Sequence, residues 1–155
     1  MGPQAGAARK TRARRIGVRP HKCTEGPAQG MIAYLDTHAV IRLAHGRARI
    51  GREAAQLIQK DELLVSPMVL VELEYLYEIG RLTLPGKDIL RKLEHELGLR
   101  LCDLPFADVA RAALDEKWTR DAFDRIIVAQ ARLNGLAPLI SSDEEIAEHY
   151  PRAVW

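Results

Sequence analysis

Four acidic residues fall where a folded chain can gather them: Asp36, Glu72, Asp124 and Asp143. Asp36 closes the apolar run Ile32-Ala33-Tyr34-Leu35, and Asp143 follows Leu139-Ile140-Ser141-Ser142. Both stand at the C-terminal ends of candidate strands, where open α/β sheets place their sites. Glu72 lies inside the apolar stretch from Pro67 to Ile79, and Asp124 lies in Asp121-Ala122-Phe123-Asp124-Arg125. Carboxylates gathered without matching cations repel one another. They are tolerated when they hold hard divalent ions such as Mg²⁺ or Mn²⁺. Ions held in this way activate water and offset charge building on phosphoryl oxygens. The leading expectation is metal-dependent chemistry on phosphate.

Each acid also has a plainer use. A charge at the end of a strand buried on both sides has few structural roles, and Thr37 could cap the following helix in place of Asp36. Glu72 is surrounded by Met68, Val69, Leu70, Val71, Leu73 and Leu76, so it needs a partner or a metal. Its plain alternative is an ion pair with an arginine. Glu74 and Glu78, four apart, read as a solvated face. Asp121 and Asp124 open a helix, whose positive end favours acids. Asp121 reads first as the cap. Asp124 flanks the stripe Phe123, Ile126, Ile127 and Gln130, which sets it at the core edge toward the rim of the sheet. Asp143 reads equally as a cap or a site acid. Ser141 can orient a carboxylate or a metal-bound water. Other chemistries find no support: His38, His45, His95 and His149 lack zinc-type spacing. There is no glycine-rich phosphate loop and no Gly-x-Ser-x-Gly elbow.

The elements that must position these residues alternate. Strand patterns cover Ile32 to Leu35, Leu63 to Val65, Leu99 to Cys102 and Leu139 to Ser141, with a further short one at Ala153 to Trp155. Between them run helical patterns: Thr37 to about His45, Gly51 to Lys60, Pro67 to Gly80, Gly86 to Leu97, Phe106 to Leu114, Ala122 to Asn134 and Glu144 to Glu148. Ser66 before Pro67 is a helix start signal, and Gly98 and Gly135 are stop signals. The alternation predicts a three-layer α/β/α fold with a central parallel sheet of four or five strands.

The chain has 155 residues, 47% of them hydrophobic and 28% charged, which suits one soluble domain. No stretch approaches the roughly 20 apolar residues of a membrane span. Two cysteines, Cys23 and Cys102, are too few for a disulfide framework or a zinc site and read as free thiols in a reducing cytoplasm. The net charge of +2 is unevenly spread: residues 1–30 hold seven basic residues against one acid, Glu25, which leaves −4 on residues 31–155. Residues 1–30, rich in Gly, Ala, Pro and Arg with no apolar period, read as a disordered basic extension before a domain over 31–155. The simpler account is that Met31 is the natural start and the frame is over-extended. The functional account is a basic arm that touches nucleic acid.

The combination resembles the PIN domain, and more closely the VapC toxins of bacterial toxin–antitoxin pairs, over nearly all of residues 31–155. Leu35-Asp36-Thr37-His38-Ala39 is similar to the opening motif of one large VapC group. Ser66, Glu72 and Gly80-Arg81-Leu82 are similar to the second motif. Arg120-Asp121-Ala122-Phe123-Asp124-Arg125 followed by Ile126-Ile127-Val128-Ala129-Gln130-Ala131 is the most specific match, and Leu139-Ile140-Ser141-Ser142-Asp143 resembles the last. The resemblance implies that Asp36, Glu72 and Asp124 bind metal, with Asp143 as a fourth acid often acting through water and Asp121 as an accompanying acid. Ala122 stands where proline is usual, and Ser141 where threonine is common. The implied activity is a Mg²⁺- or Mn²⁺-dependent endoribonuclease, with one or two ions, that cuts structured RNA such as tRNA or rRNA. Arg42, Arg120 and Arg125 are phosphate-contact candidates, although Arg125 could equally pair with a neighbouring acid. The implied partners are a cognate VapB-like antitoxin and a second copy of the chain as a homodimer. A PIN-like module that binds protein or RNA without catalysis is the alternative. A phosphatase or receiver domain fits less well, since no acidic pair follows the first strand and no lysine follows Asp143.

Overall fold

Ile32-Ala33-Tyr34-Leu35 has almost no polar side, so it is satisfied only in the middle of a covered sheet. In the computed structural model, which describes residues 31–46 and 50–155, it forms strand β1 (Ile32–Leu35), with Ala33, Tyr34 and Leu35 fully buried. Helices α1 (Thr37–Ala44) and α2 (Arg52–Lys60) lead to β2 (Glu62–Val65). Next come α3 (Pro67–Glu78), α4 (Gly86–Leu97) and β3 (Arg100–Leu101). Then α5 (Phe106–Ala113) and α6 (Ala122–Leu133) precede β4 (Leu139–Ile140), and α7 (Glu144–His149) precedes β5 (Ala153–Val154). The strands lie in the order β3-β2-β1-β4-β5, and every pairing is parallel. The helices flank this sheet in the expected three-layer α/β/α arrangement, with five strands. Residues 1–30, including Cys23 and the expected basic extension, lie outside the described residues.

Local signals set the boundaries. Ser66 caps α3 by accepting from the Met68 N–H at 3.2 Å, with Pro67 in the first turn. Gly98 ends α4 at φ 68°, a left-handed conformation that glycine adopts without strain. The third strand is shorter than the expected Leu99 to Cys102. It is an edge strand with Arg100 and Leu101 exposed, flanked by buried Leu99 and Cys102. One capping assignment and one surface reading change. Asp36, not Thr37, caps α1 and accepts from the Ala39 N–H at 2.6 Å. Glu74 is not a solvated partner of Glu78: it is half-buried and accepts from the Gly86 N–H at 2.8 Å. There α4 begins so close to α3 that a Cβ on Gly86 would sit 3.0 Å from the Leu70 carbonyl oxygen.

One buried carboxylate away from the sheet ends is fully paired. Glu116 is 4% exposed and accepts from Arg132 Nε at 2.7 Å and from Trp118 Nε1 at 2.8 Å. Arg132 in turn lies over the Tyr150 ring, 5.2 Å from its centroid. Removing the guanidinium leaves a buried charge with one donor, so Arg132→Ala is expected to lose about 2 kcal/mol of stability. Urea unfolding checks this; an unchanged midpoint would mean that Glu116 finds other donors.

Candidate active site

The strand order reverses at β1, whose neighbours are β2 on one side and β4 on the other. A crevice outside the carboxyl ends of the strands is expected at such a switch point. Asp36 stands there, one residue past β1, and its N–H continues the pairing by donating to the Ile140 carbonyl at 3.1 Å. Its carboxylate is 3% exposed at the residue level and doubly held. One oxygen accepts from Ala39 N–H at 2.6 Å, and the other accepts from the Ser141 hydroxyl. Ser141 Oγ also accepts from the Asp143 N–H at 3.0 Å. Ser141 thus ties the end of β4 to the acid at the end of β1.

Glu72 is half-buried on α3, and no arginine pairs with it among the described residues. The buried Thr37 hydroxyl donates to its Oε2 instead. Asp121 caps α6, accepting from Phe123 N–H at 2.7 Å and more loosely from Asp124 N–H at 3.4 Å. Asp143 caps α7, accepting from Glu145 N–H at 2.8 Å and Ile146 N–H at 3.2 Å. The capping roles weighed for these two acids are therefore both present. Asp124, in the first turn of α6, is half-buried, and among the described residues no hydrogen bond or ion pair holds its carboxylate.

The acids share one electrostatic neighbourhood. Burial, then the charges of Asp121, Asp143, Glu72 and Asp36, push the Asp124 carboxyl up to about 7. Burial raises Asp36 to about 6 against the hydrogen bonds from Ser141 and Ala39, with Asp143 adding to the rise. Glu72 is raised by burial and by Asp121, against the Thr37 hydrogen bond. The only positive group among these influences is His38, which favours ionised Asp36 and Glu72.

Two of the three arginines have contacts of their own. Arg42 lies over the Trp155 ring, 5.0 Å from its centroid. Arg125 donates through Nε to the Thr119 carbonyl at 2.7 Å, so its predicted alternative of pairing with an acid is replaced by a backbone bond. Arg120 is exposed beside the site helix. Sequence reasoning missed Thr37 as more than a capping candidate and missed His38 as a charge acting on the acids. The signal was present in Asp36-Thr37-His38: three polar residues directly after a fully buried strand.

Among the described residues, no three His, Cys, Asp or Glu groups are set to hold one ion as they stand. The donor chemistry nonetheless fits a hard divalent cation. The donors are carboxylate and hydroxyl oxygens, and burial and mutual repulsion raise three of the acids. A cation in their midst would relieve that repulsion.

An all-parallel α/β/α sheet with acids at its switch point defines the class of domain. The family model of the PIN domain matches residues 33–150, and the chain belongs to the PIN domain family. A comparison with curated proteins gives no match. Among solved structures, the chain is similar to one from a toxin-antitoxin complex from Klebsiella pneumoniae. The TM-score is 0.54 at 22% identity, over 79% of this chain and 96% of that one, a likeness of fold.

Proposed function

We propose that the protein is a metal-dependent endoribonuclease, the VapC-like toxin of a toxin–antitoxin pair, acting on structured RNA such as tRNA or rRNA. The observation that carries the reading is the shared acidic neighbourhood of Asp36, Glu72 and Asp124 near the switch point, in which each carboxyl is raised and His38 is the one opposing charge. Asp36, Glu72 and Asp124 would hold Mg²⁺ or Mn²⁺, with Asp143 as an outer acid. Bound there, the ion supplies an activated water and offsets charge on the phosphoryl group. The chain's own part is orientation. Ser141 and the Ala39 N–H fix Asp36, Thr37 fixes Glu72, and Asp121 sets the start of the helix that carries Asp124. Exposed Arg120 is the best placed of the three arginines to meet a phosphate, since Arg42 and Arg125 have contacts of their own.

Membership of the PIN family supports the nuclease part. The likeness in fold to a protein solved as part of a toxin-antitoxin complex supports a cognate VapB-like antitoxin. Val71, Tyr75, Tyr77 and Ile79 on and after α3 are exposed large hydrophobics, as a face covered in a homodimer or by an antitoxin would be.

The test is RNA cleavage by the metal-stripped full chain. Cleavage is expected with added Mn²⁺, to be lost in excess chelator and restored by further Mn²⁺. Cleavage that ignores chelator overturns the metal mechanism. Absence of both cleavage and metal binding favours the non-catalytic binding module.

A further inference from the structure

Thr37 follows Asp36 directly, yet its hydroxyl serves another element. It is 2% exposed, so that hydroxyl needs a partner inside the protein. Helix capping does not occupy it, because Asp36 caps α1. It donates instead to Oε2 of Glu72, thirty-five residues away on α3. Among the described residues this is the one hydrogen bond made to the Glu72 carboxylate. Glutamate has three rotatable side-chain bonds and, repelled by Asp121, would otherwise be free to turn toward solvent. Threonine suits the task, since its branched Cβ restricts χ1 and fixes the direction of the hydroxyl.

We propose that Thr37 is a positioning residue: it locks one oxygen of Glu72 so that the other is presented in a fixed place to the divalent ion. The single turn Asp36-Thr37 then supplies one ligand and orients a second. This rests on the metal-binding reading above. Groups that orient metal ligands typically contribute about 10–100-fold to affinity or activity.

The experiment is Mn²⁺ titration of the chelator-stripped full chain by calorimetry, with no RNA present. Thr37→Val, which keeps the shape and removes the hydroxyl, is expected to weaken Mn²⁺ binding by about 10–100-fold. Thr37→Ser, which keeps the hydroxyl, is expected to stay within about threefold of wild type, the remainder reflecting the freer χ1 of serine. In a Glu72→Gln background, Thr37→Val is expected to add little, because the carboxylate it orients is gone. A purely structural role would weaken binding equally in both backgrounds. Wild-type affinity in Thr37→Val, with binding lost in Asp36→Asn, overturns the proposal and leaves the metal reading intact. No Mn²⁺ binding by wild type overturns both. Circular dichroism checks folding, and Thr37→Ala carries the same comparison if the valine variant does not fold.

Discussion

Asp36→Asn is expected to abolish RNA cleavage and, at the same time, to stabilise the metal-free protein. The two effects share a cause. Groups that merely orient a metal ligand contribute about 10–100-fold, so removing a ligand charge is expected to lower the rate by more than about 100-fold. Without metal that same charge is a burden. Burial lifts the Asp36 carboxyl from 3.8 to about 6, which corresponds to roughly 3 kcal/mol against the ionised form. Asparagine has nearly the same shape and no charge. Its amide oxygen can keep the Ala39 bond, and its NH₂ can meet Ser141 Oγ as an acceptor. Ser141 Oγ already accepts from Asp143, so part of the gain is offset, and a net of about 1–2 kcal/mol is expected. Thermal melts near neutral pH in chelator check the order: variant above wild type. With Mn²⁺ at about 100 times its Kd, wild type gains about 2.7 kcal/mol and the variant gains little, which reverses the order. A variant that melts below wild type in chelator, or that Mn²⁺ stabilises equally, defeats the assignment of Asp36 as a ligand.

The fold was legible where one force decided the outcome. β1 has no alternative to the centre of a sheet, and Ser66-Pro67, Gly98 and Asp121 mark helix ends by local geometry. The candidate site was drawn by residue type alone, from four acids near strand ends and helix starts, and two of them, Asp36 and Asp143, also cap helices. Which hydroxyl holds which acid was not legible, although Ser141 was a candidate to orient one of them. Nothing in the spacing of Thr37 and Glu72 announces a contact, because it depends on how α3 docks beside the β1–α1 turn. Ser141 reached Asp36 only because β4 pairs with β1, a choice made by the order of strands in space. The contacts of the arginines were not legible either. A guanidinium finds a carbonyl or a ring as readily as a phosphate, and Arg125 and Arg42 did so.

Mn²⁺ affinity is expected to rise with pH and level off above about 7, the value to which Asp124 is pushed by burial and by its four acidic neighbours. A metal binds the ionised acids, so it must displace whatever protons they hold. Below about 6, where Asp36 and Asp124 are both protonated, two protons leave, and affinity is expected to climb about 100-fold per pH unit. Between about 6 and 7 one proton leaves, and the climb is about tenfold per unit. Because the acids interact, these steps belong to the cluster as a whole. Folding without metal runs the other way. An acid whose value is raised binds its proton more tightly in the folded chain. Both states are protonated well below 3.8, and above it the unfolded chain ionises first. The metal-free protein therefore loses stability as pH rises from about 4 to about 7 and no further. Chelator melts and Mn²⁺ titrations at pH 5.5, 6.5 and 8 should move in opposite directions. Asp124→Asn should weaken Mn²⁺ binding by more than about 100-fold and remove the tenfold step between pH 6 and 7. A flat affinity over this range would mean that the acids ionise independently, and a dispersed set of carboxylates has no means of holding a common ion.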